Sequence, residues 1–544
     1  MLNETADKLR GGYYTPADLA LFLARWVAQG KPEAVLEPSC GDGVFLDSLA
    51  SSGLRSTQIT ALELNVLEAA KAKSRAVALG IKATILNQDF LGWALNEMRP
   101  DGQRFDGVVG NPPFVRYQYL PPSFQCLAEK IFTALGCRFT KHTNAWVPFV
   151  LASMALLRPG GRLAMVVPSE IIQVLHAQSL RTFLGETCRK LIIIDPEEIW
   201  FENTLQGAVL LMAEKKQTAV TYSDGLGLVQ VRGRDFLTKD PNDIFEKAVA
   251  INGRAVQGKW TRAFLSTGIR DLLDEVERMP SVHRFLGIAD VDVGIVTGAN
   301  KFFLVSDETV EAYGLREWAH PMFGRSEHCP GVIYDAKQHK ANKKAGLPSN
   351  FLWFPDAAAG RNPEVAAYIE MGEKQQLHTR YKCRIRKPWF TVPSVHSTEI
   401  GMLKRSHNAP RLLLNKISAY TTDTAYRITS HGVKDATLVG AFVNPLTALS
   451  AELEGRTYGG GVLELVPSEI ERLLIPIPSD TAVDVRELDR AVRTYSTENI
   501  LVGYGCEILK AIGLSKAQSG TLVEAWAQLK NRRQRVATID VTER

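Results

Sequence analysis

Four consecutive residues, Asn111-Pro112-Pro113-Phe114, are of types suited to holding an amino group. Two prolines remove backbone donors and fix φ, so the carbonyls of Asn111 and Pro112 are left to accept hydrogen bonds from a group outside the chain. Asn111 adds a polar side chain and Phe114 an aromatic face. The apolar run Phe105–Gly110 just ahead of them reads as a short buried strand, which sets the four residues at the mouth of a sheet. Taken alone, the same four residues also read as an ordinary proline turn with a helix-capping Asn.

Three acids have a related placement. Glu37 closes the strand-like run Ala34–Glu37, Glu63 closes Gln58–Glu63, and Asp89-Phe90 follows Ala83–Asn87. In an open parallel sheet, ligands sit outside the carboxyl ends of the strands, so three acids in this register predict a nucleoside-binding rim. The first strand runs into Gly41-Asp42-Gly43, a turn that lets a ligand approach the backbone. It lacks the third glycine of the dinucleotide fingerprint. For any one of these acids taken alone, a solvated surface group is the commoner reading.

The elements that must position these residues follow a βα rhythm. Pro16 suits the first turn of a helix over Ala17–Gln29, with Thr15 as its N-cap. Helical periods are predicted for Val66–Leu79, Asn144–Leu157 and Ser169 to about Gly185, and strands for Arg162–Val167 and Leu191–Ile194. Gly207–Met212 follows the last of these after only a loop, so it should pair antiparallel, as a reversed strand at the sheet edge. The predicted fold is α/β, a doubly wound sheet of seven strands with the last one antiparallel.

A chain of 544 residues is too long for one ordinary core, and its net charge of +5 fits a polyanionic partner without demanding one. Met1–Lys215 carries 21 Lys+Arg against 21 Asp+Glu, so the whole excess lies in the remainder. Seven scattered cysteines argue against a disulfide framework or a structural zinc site, and no metal is expected. No signal pattern opens the chain and no apolar run approaches the length of a membrane span, which predicts a soluble cytoplasmic protein. Composition shifts after Glu214-Lys215-Lys216 into a polar connector with short strands.

Within the second half, His378–Phe390 interleaves Arg and Lys with Tyr381, Trp389 and Phe390, a pattern suited to nucleic acid. If this is a strand, Arg384 and Arg386 share a face and either could read guanine bidentately. A solvated basic strand beside a structural Trp is the alternative. Gly459-Gly460-Gly461 is not followed by the lysine of a phosphate loop and reads as a turn. The tail from Asp480 is predicted to be largely helical.

Read in order, Gly12-Tyr13-Tyr14-Thr15-Pro16, Leu36–Gly43, Glu63, Asp89-Phe90 and Asn111–Phe114 resemble the motif series of the S-adenosylmethionine-dependent adenine-N6 DNA methyltransferases. The arrangement is that of the γ group found in type II restriction-modification methylases. The resemblance covers about the first 215 residues strongly. It returns in Asp290–Leu304 and Thr457–Pro478, which are similar to stretches of the family's recognition domains.

The resemblance implies a Rossmann-like class I methyltransferase domain over 1–216, a connector over 217–260, an α+β target recognition domain over 261–480 and a helical tail over 481–544. For the cofactor S-adenosylmethionine it implies contacts from Thr15, Glu37, Ser39, Gly41, Glu63, Asp89 and Phe90. Glu37 would lie near the amino group, Glu63 at the ribose and Asp89 at the adenine. It implies Asn111, Pro112 and Phe114 as the catalytic group acting on a flipped adenine, with Phe201 as a second base contact and Trp200 as its rival. Arg384, Arg386 and Trp389 are the candidate DNA contacts. Double-stranded DNA bound by a monomer, and a separately encoded cognate restriction endonuclease, are the implied partners. Two other readings stay open: a protein-glutamine or RNA methyltransferase, and a catalytically silent DNA-binding subunit. A fused nuclease is not expected.

Overall fold

The computed structural model describes residues 15–197, 207–252, 258–458, 460–478 and 484–534. The chain divides into two compact units, separated in the sequence between Phe264 and Leu265.

The first unit is built on one sheet. Helix α1 (Ala17–Gln29) buries Leu19, Ala20, Phe22, Leu23, Ala24, Trp26 and Val27, an apolar stripe at helical spacing. Its N-cap is Pro16, with no side-chain cap bond, so the capping role predicted for Thr15 is not the one its hydroxyl plays. The chain then alternates β1 (Ala34–Glu37), α2 (Val44–Ser51), β2 (Gln58–Leu62), α3 (Val66–Leu79), β3 (Ala83–Leu86), α4 (Phe90–Glu97) and β4 (Phe105–Gly110). Helices α5 (Pro122–Ala134) and α6 (Trp146–Leu156) lead to β5 (Leu157–Pro168), followed by α7 (Gln178–Thr187), β6 (Cys188–Pro196) and β7 (Ala208–Lys215).

The strand order is β3-β2-β1-β4-β5-β7-β6, and the pairs from β3 through β5 are all parallel. Strand β7 is antiparallel to both β5 and β6, as its short connection requires. It is not at the edge, where the sequence reading put it. The apolar run of β7 is buried on both faces and fills the gap between β5 and β6. Two strands from the connector, β8 (Gly225–Val231) and β9 (Ala250–Ile251), extend the same sheet beyond β6 to nine strands. The order reverses between β1 and β4, and at such a switch point the carboxyl ends of neighbouring strands open a crevice for a ligand.

The second unit is α+β. A five-stranded sheet runs Ala289–Val293, Ala425–Ser430, Ile400–Leu403, Leu412–Asn415 and Ile333–Tyr334. A separate core gathers Phe302, Phe303, Phe351, Tyr368, Trp389 and Phe390. The predicted helical tail is present as Val485–Thr494, Thr497–Ile500, Cys506–Ala511 and Lys516–Gln534. Arg533 of the last helix forms a buried two-pronged ion pair with Glu452, at 2.9 and 2.8 Å.

Candidate active site

Two hydrogen bonds hold Asn111, one to the loop after β1 and one to the segment ahead of α1. Ser39 Oγ donates to the Asn111 carbonyl at 3.0 Å. Asn111 Nδ2 donates to Thr15 Oγ1 at 3.1 Å, which turns the amide oxygen away from Thr15. Of the two carbonyls expected to be uncommitted, that of Asn111 is thus already an acceptor for Ser39. Pro112 is buried, whereas Phe114 is half-buried with part of its surface packed on the core of the unit.

Glu37, the last residue of β1, is fully buried at 0 % exposure. Neither of its carboxylate oxygens has a hydrogen-bond partner among the described residues. Burial, reinforced by the charges of Glu63 and Asp42, pushes the carboxyl well above the usual range, and Arg75 opposes the shift. Arg75 is itself engaged by Asp42 at 3.1 Å and Asp47 at 3.0 Å. An orphaned buried acid beside a glycine turn is a strong recognition feature for a cationic group, because desolvation makes an unmatched carboxylate costly.

Glu63 organises that turn. Its Oε2 accepts from Gly41 N at 2.9 Å and its Oε1 from Asn65 N at 2.7 Å, and a carboxylate still has lone pairs for a further donor on each oxygen. Gly41 has a φ of +52° and open space where a side chain would project, so glycine both permits the backbone bend and leaves room for a ligand. Asp89 caps α4 by accepting from Gly92 N at 2.6 Å. Phe90 is buried against Phe149, with ring centroids 4.9 Å apart, and therefore belongs first to the core.

The exit of the Asn-Pro-Pro-Phe loop is held by residues that sequence reading did not single out. Asn144 Oδ1 accepts from Tyr117 N at 3.0 Å, and Ala145 N donates to the Val115 carbonyl at 2.9 Å. Glu170 Oε1 accepts from both Asn144 Nδ2 and Trp146 Nε1, each at 2.8 Å. The only signal of this bracket in the sequence was a lone acid after the apolar run of β5.

The second-half candidates divide. His378–Phe390 is not a strand: Leu377–Thr379 is a 3-10 turn and Tyr381–Arg384 a short helix, so Arg384 and Arg386 do not share a strand face. Arg384 is exposed. Arg386 is turned inward, donating to the carbonyls of Thr297 at 2.7 Å and Val296 at 2.5 Å. Trp389 is buried in the second core, its Nε1 bonded to Glu373 at 3.0 Å, so its ring is not presented to a ligand. Phe201 and Trp200 lie outside the described residues.

A β3-β2-β1-β4-β5-β7-β6 sheet with its seventh strand reversed, carrying a glycine turn and acids at the strand ends, defines the class I S-adenosylmethionine-dependent methyltransferases. The residues fit that cofactor: the orphaned Glu37 suits its cationic amino group and the open Gly41 turn gives it room. Residues 50–200 match the family model of the Eco57I restriction-modification methylase, and residues 257–509 match that of the type II methyltransferase M.Eco57I, C-terminal domain. The chain belongs to the Eco57I-type restriction-modification methylases and is an S-adenosylmethionine-dependent DNA methyltransferase.

Similar proteins include the type II methyltransferase M.AccI of Acinetobacter calcoaceticus, 23 % identical over 85 % of this chain and 84 % of that one. The type II methyltransferase M.XamI of Xanthomonas campestris pv. amaranthicola is 22 % identical over 86 % and 85 %. Among solved structures, the type IIG restriction endonuclease BpuSI is 14 % identical with a TM-score of 0.42, covering 97 % of this chain and 67 % of that one. Enzymes of this kind act on DNA and are linked to restriction enzymes. Among the described residues no single helix is long and apolar enough to cross a membrane.

Proposed function

We propose that the enzyme methylates the N6 amino group of an adenine extruded from duplex DNA, with Asn111, Pro112 and Phe114 acting on the base. The observation that carries this reading is the pair of hydrogen bonds fastening Asn111 to Ser39 and Thr15, which holds the Asn-Pro-Pro-Phe loop to the turn that follows β1. An adenine amino nitrogen is a poor nucleophile because its lone pair is delocalised into the ring. Accepting its two protons at Asn111 Oδ1 and the Pro112 carbonyl favours a more tetrahedral nitrogen and stabilises the positive charge that develops there. Bound S-adenosylmethionine supplies the electrophilic sulfonium methyl. Glu37 and Glu63, with Thr15, Ser39, Gly41, Asp89 and Phe90, hold and orient it.

Extruding the base costs a few kcal/mol. Stacking on the exposed part of Phe114 returns about 1–3 kcal/mol, with Phe201 as a second contact. Residues 1–216 are the catalytic part in this reading, and 261–480 present the duplex. A monomer works on the DNA in the cytoplasm, alongside a separately encoded endonuclease for the same site.

Substitution of Asn111 by Ala tests the reading. Transfer of tritiated methyl to DNA should fall at least about a hundredfold, the usual loss when one preorganised hydrogen-bonding group is removed, with cofactor and DNA affinity nearly kept. Phe114→Ala should keep measurable turnover and weaken capture of the flipped base. Sequencing DNA from cells expressing the protein should find N6-methyladenine at one motif. Near-normal turnover in Asn111→Ala, or methylation on cytosine, would sink the assignment.

A further inference from the structure

The segment that sequence reading marked for DNA contact presents different side chains from the ones it named. Between Glu373 and Glu399 the chain has no acid, and Arg380, Lys382, Arg384 and Lys387 are all exposed. None of the four forms an ion pair among the described residues. Among them stand two large apolar side chains, Tyr381 at 64 % exposure and Ile385 at 61 %. They are four residues apart on one helical turn, with Ile385 still in helical conformation, so they share a face. The charges of Lys382 and Arg384 each lie 5.6 Å from the centre of the Tyr381 ring.

This projection has a firm base. Cys383 is fully buried in the core of the second unit. Arg386 is bonded to the carbonyls of Val296 and Thr297, and Gly298 adopts a φ of +79° directly beneath. A Cβ on Gly298 would stand 2.7 Å from Lys382 Cβ, so only glycine lets the turn seat this closely. The inward residues Cys383, Arg386 and Trp389 are therefore the footing, and Tyr381 and Ile385 are what the footing holds out.

We infer that Tyr381 and Ile385 form a wedge that enters the bound duplex between base pairs, with Arg380, Lys382, Arg384 and Lys387 seated on the flanking phosphates. Exposed apolar side chains ringed by cations that carry no ion pair among the described residues match a polyanion with an apolar interior, and a stacked duplex is that partner. Both side chains lose water when they unstack a base step, and the cations release counterions. A rigid base is what such insertion needs, because a loose loop would lose in ordering what it gained in stacking. The inference rests on the proposed DNA reading and adds which residues deform the duplex.

The test uses the full-length enzyme with S-adenosylhomocysteine and a fluorescent duplex carrying the motif found by sequencing methylated DNA, with 2-aminopurine placed in turn at each step of the motif. Wild type should brighten 2-aminopurine at a step outside the target adenine. Tyr381→Ala and Ile385→Ala should abolish that signal, weaken binding about tenfold to a hundredfold and leave the salt slope of binding unchanged. Lys382→Ala and Arg384→Ala should instead reduce the slope by about 1 each. Circular dichroism of each variant checks folding, and Tyr381→Phe, which keeps the ring, should keep the signal. Binding and 2-aminopurine signals like wild type in Tyr381→Ala, or signal at the target base alone, overturn the wedge. Absence of any methylated motif in wild-type DNA would fail the DNA reading itself, a separate result.

Discussion

Replacing Glu37 by Gln should make the cofactor-free protein more stable and the cofactor weaker. In the folded state the carboxyl is raised above its unfolded value by burial and by Glu63 and Asp42, so the folded protein resists ionising it. The contribution of Glu37 to stability is therefore complete below the unfolded carboxyl pKa of about 4.5 and is lost as pH rises through the raised folded value. Each unit of that gap costs about 1.4 kcal/mol at a pH above both values. Gln has the same shape and no charge to bury, so it removes this loss. For a unit of some 250 residues, about 1 kcal/mol moves Tm by about 2–4 °C.

Scanning calorimetry between pH 5 and 9, with and without S-adenosylhomocysteine, separates the two effects. Wild type and Glu37→Gln should coincide at pH 5 and diverge upward, the variant melting higher without ligand. The ligand should raise the wild-type Tm more than that of the variant, because only the carboxylate can pair with its amino group. Titration calorimetry in two buffers should show wild type releasing protons on binding and Glu37→Gln releasing none. A variant that melts at or below wild type at pH 8 and keeps the full ligand shift would refute the reasoning.

Further predictions concern other parts of the chain. Ser39→Ala removes one hydrogen bond to the Asn111 carbonyl, a net loss of about 0.5–1.5 kcal/mol, so steady-state kinetics should show kcat lowered about two- to tenfold with cofactor Kd changed less. Arg533→Ala leaves Glu452 buried without its partner and should destabilise the second unit by about 3–5 kcal/mol in urea denaturation, while Arg533→Met with Glu452→Leu should recover much of that loss. His328 is 1 % exposed, and burial, opposed by Glu327 and assisted by Arg325 and His339, holds its pKa down to about 4. The unfolded chain then binds more protons between about pH 6.5 and 4, so stability should fall by about 3 kcal/mol as pH drops through that window, and His328→Asn should flatten the fall in urea melts. His320 and His339 shift in the same direction and broaden the transition.

What could be read from the sequence was whatever depends on neighbours along the chain. Glu37 and Glu63 sit at the ends of β1 and β2 because a short apolar run ending in an acid is a local pattern, and Asn111 follows β4 for the same reason. The partners of those residues were not local. Thr15 meets Asn111 across 96 residues and Ser39 meets it across 72, and no periodicity encodes such a meeting. The Thr15 hydroxyl had a sufficient explanation as a helix cap, and that explanation hid the contact it makes.

The basic segment shows a different failure. Its composition announced a charged surface, but composition does not say which side chains turn outward. A period of two would have put Arg384 and Arg386 together, whereas one helical turn put Tyr381 with Ile385 and sent Arg386 inward to two carbonyls. Trp389 likewise went to the core, the usual fate of a large ring. The position of β7 was missed because a reversed strand costs the same local pattern at an edge as in the middle. Only the double-sided burial of its apolar run decides between them.

That central seat of β7 sets an order for synthesis. The strand is made after β5 and β6, yet it supplies the hydrogen bonds that join them, so the sheet stays open between its two halves until Lys215 has left the ribosome. During that interval β5 shows a bare, apolar edge of the kind that pairs with other chains. A chain interrupted before Ala208 would keep its glycine turn and its Asn-Pro-Pro-Phe loop and still be prone to aggregate. Splitting the gene between β6 and β7 should therefore yield halves that become soluble only when expressed together.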